Sequence, residues 1–83
     1  MQRLIKIELL EGYKIRLYFQ EGYNSEVDFE RFFQKGFAKE LLDKENFKEV
    51  NIESGGGLAW KNGFDFCPNF LYEISRKQIA EHA

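Results

Sequence analysis

From Leu4 to Phe29 apolar and polar residues alternate with a period of two, and that alternation restricts the stretch to half-buried strands. Ile5, Ile7 and Leu9 alternate with Lys6 and Glu8; Tyr13, Ile15, Leu17 and Phe19 with Lys14, Arg16 and Tyr18; Tyr23, Val27 and Phe29 with Asn24, Glu26 and Asp28. Between the runs the same local text occurs twice, as Leu10-Glu11-Gly12-Tyr13 and Gln20-Glu21-Gly22-Tyr23. A three-residue hairpin loop needs positive φ at its third position, which glycine adopts without steric cost. Loops at 10–12 and 20–22 follow. They set Ile7 opposite Ile15, Ile5 opposite Leu17, Phe19 opposite Tyr23 and Ile15 opposite Val27. On the other face Arg16 meets Glu26, Lys14 lies between Glu8 and Asp28, and Lys6–Arg16 is the one unfavourable pair. Two-residue loops would bring Ile7 against Arg16 and mix the faces, which burial of one face forbids. The pattern predicts a three-stranded antiparallel meander.

Beyond Phe29 the period changes. Phe32, Phe33, Phe37, Leu41 and Leu42 fall at helix-like spacings, interrupted near Gly36 by a cap or turn, and Asp43 can cap a short turn through Lys44-Glu45-Asn46. These five bulky residues are expected as core, on one or two short helices laid across the apolar face of the meander. Alternation returns with Val50 and Ile52 against Asn51 and Glu53, then with Leu58 and Trp60 around Ala59. A phosphate cradle would need a helix after its glycines. Leu58-Ala59-Trp60 reads as a strand instead, so Gly55-Gly56-Gly57 is expected as a flexible hairpin loop. Lys61-Asn62-Gly63 fits the three-residue rule, placing Trp60 opposite Phe64 and Leu58 opposite Phe66; a two-residue Asn62-Gly63 turn is the competing geometry. Pro68 suits the first turn of a C-terminal helix carrying Phe70, Leu71, Ile74, Gln78 and Ile79, with Glu81-His82-Ala83 expected to fray. The fold class is α+β: an antiparallel three-stranded meander, short central helices, a second β-hairpin and a C-terminal helix.

A chain of 83 residues is read as one domain, 1–83, and nine phenylalanines supply it with core. A net charge of −2, with no basic cluster larger than Arg76-Lys77, speaks against a non-specific nucleic-acid or membrane-surface binder. The lone Cys67 excludes an intrachain disulfide, and the amino-terminal alternation is neither a signal peptide nor a membrane span, so a cytoplasmic protein is expected. One histidine, His82, and one cysteine cannot make a tetrahedral His/Cys metal site within the chain. Cys67 has only Asp65 nearby as a base, and between Phe66 and Pro68 it reads as a small apolar filler. The carboxylate pairs Glu26 and Asp28, and Asp43 and Glu45, read as solvated faces. No catalytic, cofactor or metal residues are expected. Tyr18 projects from the polar face of the meander, either as an interface residue or as a cross-strand contact.

Trp60-x-Asn62-Gly63-x-Asp65-x-x-Pro68-x-x-Leu71-Tyr72 resembles the closing signature of a family of small bacterial proteins, domain of unknown function 2442. The Tyr-x-Ile-x-Leu strand, the acidic-Gly turn, the short strand ending Val-x-Phe, and then Phe37, Leu41, Asp43, Phe47 and Val50 are similar to it too. The resemblance runs over residues 3–73; residues 74–83 form an unmatched helical tail. It implies an α+β fold and no established activity, in stand-alone proteins or as the leading domain before a helix-turn-helix. For some members it also implies a neighbouring small protein, domain of unknown function 4160, in a pairing that resembles toxin–antitoxin arrangements. Too few residues follow Tyr72 for a helix-turn-helix, so no direct nucleic-acid contact is expected.

The expectation is a non-enzymatic protein-interaction domain, the antitoxin-like half of a two-protein module, with homo-oligomers also compatible. An accessory domain in transcriptional regulation and a small-molecule sensor or enzyme are the alternatives. Tyr18, Trp60, Asn62, Gly63, Asp65, Pro68 and Tyr72 are candidates either for contact with a partner or for folding. In the folding reading Gly63 supplies positive φ, Pro68 starts the helix and Asp65 accepts at its amino end. An exposed Trp60 would mark the first role and a buried Trp60 the second.

Overall fold

The computed structural model describes residues 2–82, with side chains through Arg76; the side chains beyond, including His82, and the fraying expected of Glu81-His82-Ala83 lie outside the described residues. Strands β1 (Leu4–Leu9), β2 (Lys14–Phe19) and β3 (Asn24–Asp28) come first, followed by 3-10 helices at Glu30–Phe32 and Gly36–Leu42 and by α1 (Lys44–Phe47). Then come β4 (Asn51–Ile52), β5 (Leu58–Ala59), β6 (Asp65–Phe66) and α2 (Pro68–His82). The strands form two antiparallel sheets in chain order, β1-β2-β3 and β4-β5-β6. The α+β architecture is the one the periodicities predict.

The β2–β3 register is as expected: Ile15 pairs with Val27, Arg16 with Glu26 and Lys14 with Asp28. An Arg16 Nη2 to Glu26 Oε2 bridge of 3.2 Å reinforces it on the outer face. The β1–β2 register is not as expected. Leu9 pairs with Ile15, Ile7 with Leu17, Glu8 with Arg16 and Lys6 with Tyr18, a slide of two residues from the expected pairing. The loop lies one residue later, closed by the Leu10 N–H donating to the Lys14 carbonyl at 2.9 Å. A two-residue slide leaves every side chain on its face, so apolar alternation cannot detect it. Charge favours the observed pairing, because Glu8 opposite Arg16 replaces Lys6 opposite Arg16.

A bulge between Leu4 and Lys6 also interrupts β1 and re-aims its first residues. Leu4 therefore enters the core, whereas Ile5, expected inside, is 61% exposed, and Leu9 is largely exposed as well.

The three later hairpin loops share one geometry. Gly22, Gly56 and Gly63 donate to the carbonyls of Phe19, Glu53 and Trp60 at 3.0, 2.9 and 3.0 Å, with φ of 98°, 94° and 96°. Lys61-Asn62-Gly63 is thus a three-residue loop, and Trp60 N–H donates to the Phe64 carbonyl as the register requires.

The Gly55-Gly56-Gly57 loop is not the flexible tip expected of it. Its middle glycine is buried, and the Gly56 carbonyl accepts the Leu4 N–H at 2.8 Å while Arg3 donates to the Ser54 carbonyl. A Cβ on Gly56 would lie 2.4 Å from Arg3 Cβ, and one on Gly57 2.1 Å from the Phe66 carbonyl oxygen. The loop is the junction of the two sheets, and it is glycine because backbone passes against backbone there.

Between the sheets and the helices lies a core of Ile15, Leu17, Phe19, Val27, Phe29, Phe33, Leu41, Leu58 and Leu71, all fully buried. Helix α2 begins at Pro68, whose missing N–H costs nothing at a helix start, and packs on β3. Its inward face is Leu71, Ile74 and Ser75, the last returning its hydroxyl to the Leu71 carbonyl. Gly57→Ala should lower the unfolding free energy by about 2 kcal/mol or more, since backbone must move to admit the methyl group. Gly55→Ala, which meets only the flexible end of Glu53, should stay within about 0.5 kcal/mol, and urea denaturation of the two variants checks the contrast.

Candidate functional site

The closing motif builds outward from Trp60, which is only 3% exposed. Five rings surround it, those of Phe33, Phe66, Phe64, Phe47 and Phe29, with centroids at 5.7, 5.9, 6.0, 6.1 and 6.4 Å. Its indole N–H donates to the Phe47 carbonyl at 3.1 Å, satisfying the one polar atom of the side chain. Phe47 is brought there by α1, which Asp43 caps by accepting the Glu45 N–H at 2.9 Å, as the sequence predicts. Trp60 is therefore in the core. Asn62 accepts the Phe64 N–H at 3.0 Å within its own loop and donates to the Phe37 carbonyl and to Glu40 Oε1 at 3.3 and 3.0 Å.

Two motif residues depart from expectation. Asp65 does not cap α2: it is exposed in β6, paired with Ala59, because Phe66 and Cys67 separate it from the helix. Cys67 is not a core filler either. Its carbonyl accepts the Leu71 N–H in the first turn of α2, and its thiol side is exposed.

Tyr72 lies elsewhere, edge-on to Phe19 and Tyr23 at 5.4 and 5.5 Å with the Arg76 guanidinium over its ring. Tyr18 lies on the outer face of β2, where its hydroxyl donates to Glu8 Oε1 at 3.1 Å and Lys6 Nζ sits 5.1 Å from its ring. Desolvation, then the bond to Glu8 and the Glu8 charge, push the Tyr18 hydroxyl above its ordinary value, and the Arg16 charge opposes them. The sequence candidates thus divide between a buried clasp, a small aromatic cluster on α2 and the outer sheet face. They do not converge.

What does converge is a row of phenylalanines, of which periodicity assigned Phe32 and Phe37 to the core. Phe37 packs on Phe64 at 5.7 Å, Phe64 on Phe66 at 5.2 Å, and Phe66 stacks on Phe70 at 5.6 Å with ring planes 9° apart. Phe32 closes the end of the row against Phe66 and Phe70 at 5.3 and 5.8 Å, with the Arg31 guanidinium over its outer face. Phe37 is 55% exposed and Phe70 38%. Phe32 and Phe64 are half-buried.

Phe37 was expected inside, with the helical spacing interrupted near Gly36. Gly36, with φ of 60°, makes that interruption and starts a 3-10 segment whose buried residues are Ala38 and Leu41. The break was legible in the sequence; the outward turn of Phe37 after it was not.

Among the described residues no three His, Cys, Asp or Glu side chains gather as metal ligands would, and no helix is long and apolar enough to cross a membrane. The depression beside Asn62, lined by Glu40, Asn46, Glu49 and Lys61, is open to solvent. These features define a small α+β domain with a clasped aromatic core and an aromatic surface row. The chain belongs to the family described as Protein of unknown function (DUF2442), whose model matches residues 4–77 and so reaches further into α2 than residue 73. No curated protein and no solved structure is significantly similar to it.

Trp60→Ala should lower stability by about 3–5 kcal/mol, as large-to-small changes in aromatic cores do. Asp65→Asn, exposed and free of any cap, should change it by less than about 0.5 kcal/mol. A Trp60→Ala protein that melts with the parent would show that the clasp carries no stability. Tyr23 offers a second test, because its hydroxyl is buried without a hydrogen-bond partner among the described residues. Removing an unpaired buried hydroxyl recovers its desolvation cost, so Tyr23→Phe should leave the melting temperature unchanged or raise it.

Proposed function

We propose that this chain is a non-enzymatic protein-interaction domain that meets its partner through the row Phe37-Phe64-Phe66-Phe70-Phe32. The observation that carries this reading is the exposure of Phe37 and Phe70 in one continuous line of packed rings. Apolar area left in water costs roughly 25 cal/mol per Å², a cost that a partner surface removes. Each exposed ring also rests on a buried or half-buried neighbour, so it is held in place before binding and loses little side-chain freedom on association. Aromatic anchors backed by a rigid floor are the usual centres of interface energy. Arg31, stacked over Phe32, supplies a polar rim at one end.

In this reading the closing motif acts indirectly. Trp60 forms the floor on which Phe64 and Phe66 stand. The partner we propose is a small protein encoded beside this one, of the kind called domain of unknown function 4160, with this chain as the antitoxin-like half of the pair.

Co-expression and capture test the proposal. Phe37→Ser with Phe70→Ser should reduce capture of the co-expressed partner at least tenfold while the fold persists, since each truncated anchor costs about 1–2 kcal/mol or more of binding. Tyr18→Ser, on the outer sheet face, should leave capture unchanged. Undiminished capture by the folded double phenylalanine variant would exclude the row as the contact surface.

A further inference from the structure

We infer that Asn62 is the positioning residue of the aromatic row: it latches the Gly36–Leu42 segment to the β5–β6 hairpin and thereby sets where Phe37 is displayed. The inference takes the meaning of that display from the interaction reading, while the latch itself rests on geometry. Gly36–Leu42 is a 3-10 helix of seven residues. Runs beyond three or four residues are uncommon, because their hydrogen bonds are poorly aligned and the side chains eclipse. Such a segment needs support from outside itself.

Its apolar support is Ala38 and Leu41, both buried. Two asparagines supply the polar support. Asn46 Nδ2 donates to the Glu40 carbonyl at 2.9 Å and holds the carboxyl-terminal half. Among the side chains of the described residues, Asn62 Nδ2 alone reaches the other half with a hydrogen bond, donating to the Phe37 carbonyl at 3.3 Å as well as to Glu40 Oε1 at 3.0 Å. Gly36 precedes Phe37 with φ of 60°, a conformation that no bulky residue would hold in place, so the start of the segment has no stiffness of its own.

Asn62 can act as a fixed point because it is itself fixed. Its Oδ1 accepts the Phe64 N–H, and its loop is closed by Gly63 N–H donating to the carbonyl of the buried Trp60. The amide therefore carries two roles on its two ends. The oxygen shapes the hairpin loop, and the nitrogen ties the neighbouring segment. Phe37 then stands edge-on to Phe64, the residue whose N–H the same side chain holds. One asparagine sets both members of that ring pair, and no other side chain combines an acceptor and two donors in this volume.

Asn62→Asp separates the two roles. A carboxylate keeps the acceptor for the Phe64 N–H but has no proton to donate, and it faces Glu40 with like charge. Adding Glu40→Gln removes the like charge and restores a donor–acceptor pair with residue 40 in the opposite sense, while the Phe37 carbonyl remains without its donor. Amide hydrogen exchange on the full chain reads the latch without any partner, so its outcome is independent of whether the row binds anything. Asn62→Asp should accelerate exchange within residues 36–42 at least tenfold and leave the β2 amides within twofold of the parent. The double variant Asn62→Asp, Glu40→Gln removes the like charge but still leaves the Phe37 carbonyl without a donor, so residues 36–42 should stay at least threefold faster than in the parent. The latch is overturned by unchanged rates in 36–42 of Asn62→Asp, by equal acceleration in β2, or by full recovery in the double variant, which would reduce the effect to charge repulsion.

Discussion

The Trp60 indole N–H bonds to the Phe47 carbonyl inside a cage of aromatic rings, and three parts of the chain meet on that bond. The β5–β6 hairpin supplies Trp60, Phe64 and Phe66; α1 supplies Phe47; the end of β3 and the 3-10 turn after it supply Phe29 and Phe33. An indole in such surroundings has no water to return to, so its single donor must find an acceptor at a definite place. That requirement converts a non-directional apolar cluster into one with a fixed arrangement. It also explains why a short helix such as α1, too short to be stable alone, keeps its position.

The second constraint is the close passage of backbone at Gly56 and Gly57. Two three-stranded sheets of this size have little surface with which to hold one another. Here they are joined where the Gly56 carbonyl meets the Leu4 N–H, while Gly57 lies against the Phe66 carbonyl within the second sheet. A side chain at Gly56 would part the sheets, and one at Gly57 would part β5 from β6. Trp60 and the glycine junction lie at opposite ends of β5, so the strand is secured at both.

The aromatic row follows from these two anchors. With nine phenylalanines and one tryptophan in 83 residues, the interior does not enclose every ring, and some reach the surface. Phe37 and Phe70 are the rings that stay exposed, each lying on a ring that is more enclosed. A row of this kind is continuous with the core beneath it. Its geometry is therefore as well defined as the core, apart from the 3-10 segment that carries Phe37.

Local physics sufficed for much of this protein. Alternation at Ile15, Leu17 and Phe19 specified half-buried strands, Gly22 specified a three-residue loop, and Asp43 and Pro68 specified where α1 and α2 begin, while the Gly63 loop admitted two lengths. Each of those signals acts within a few residues, where sterics and hydrogen bonding leave few choices. The closing motif was legible as a motif, and the burial of Trp60 assigns it to the core. What the tertiary structure decided lies at longer range. A two-residue slide of β1 preserves its apolar face, so only the Glu8–Arg16 pairing and the bulge before Lys6 distinguish the true register. The glycine loop became a buried junction because Arg3, more than fifty residues away in sequence, comes to meet Gly56. Phe37 and Phe33 carry the same side chain and fell on the same helical pattern, yet Phe33 is enclosed by Tyr13, Phe47 and Trp60 while Phe37 has Phe64 alone. Hydrophobicity is a property of the residue, but burial depends on how many neighbours arrive from elsewhere in the chain.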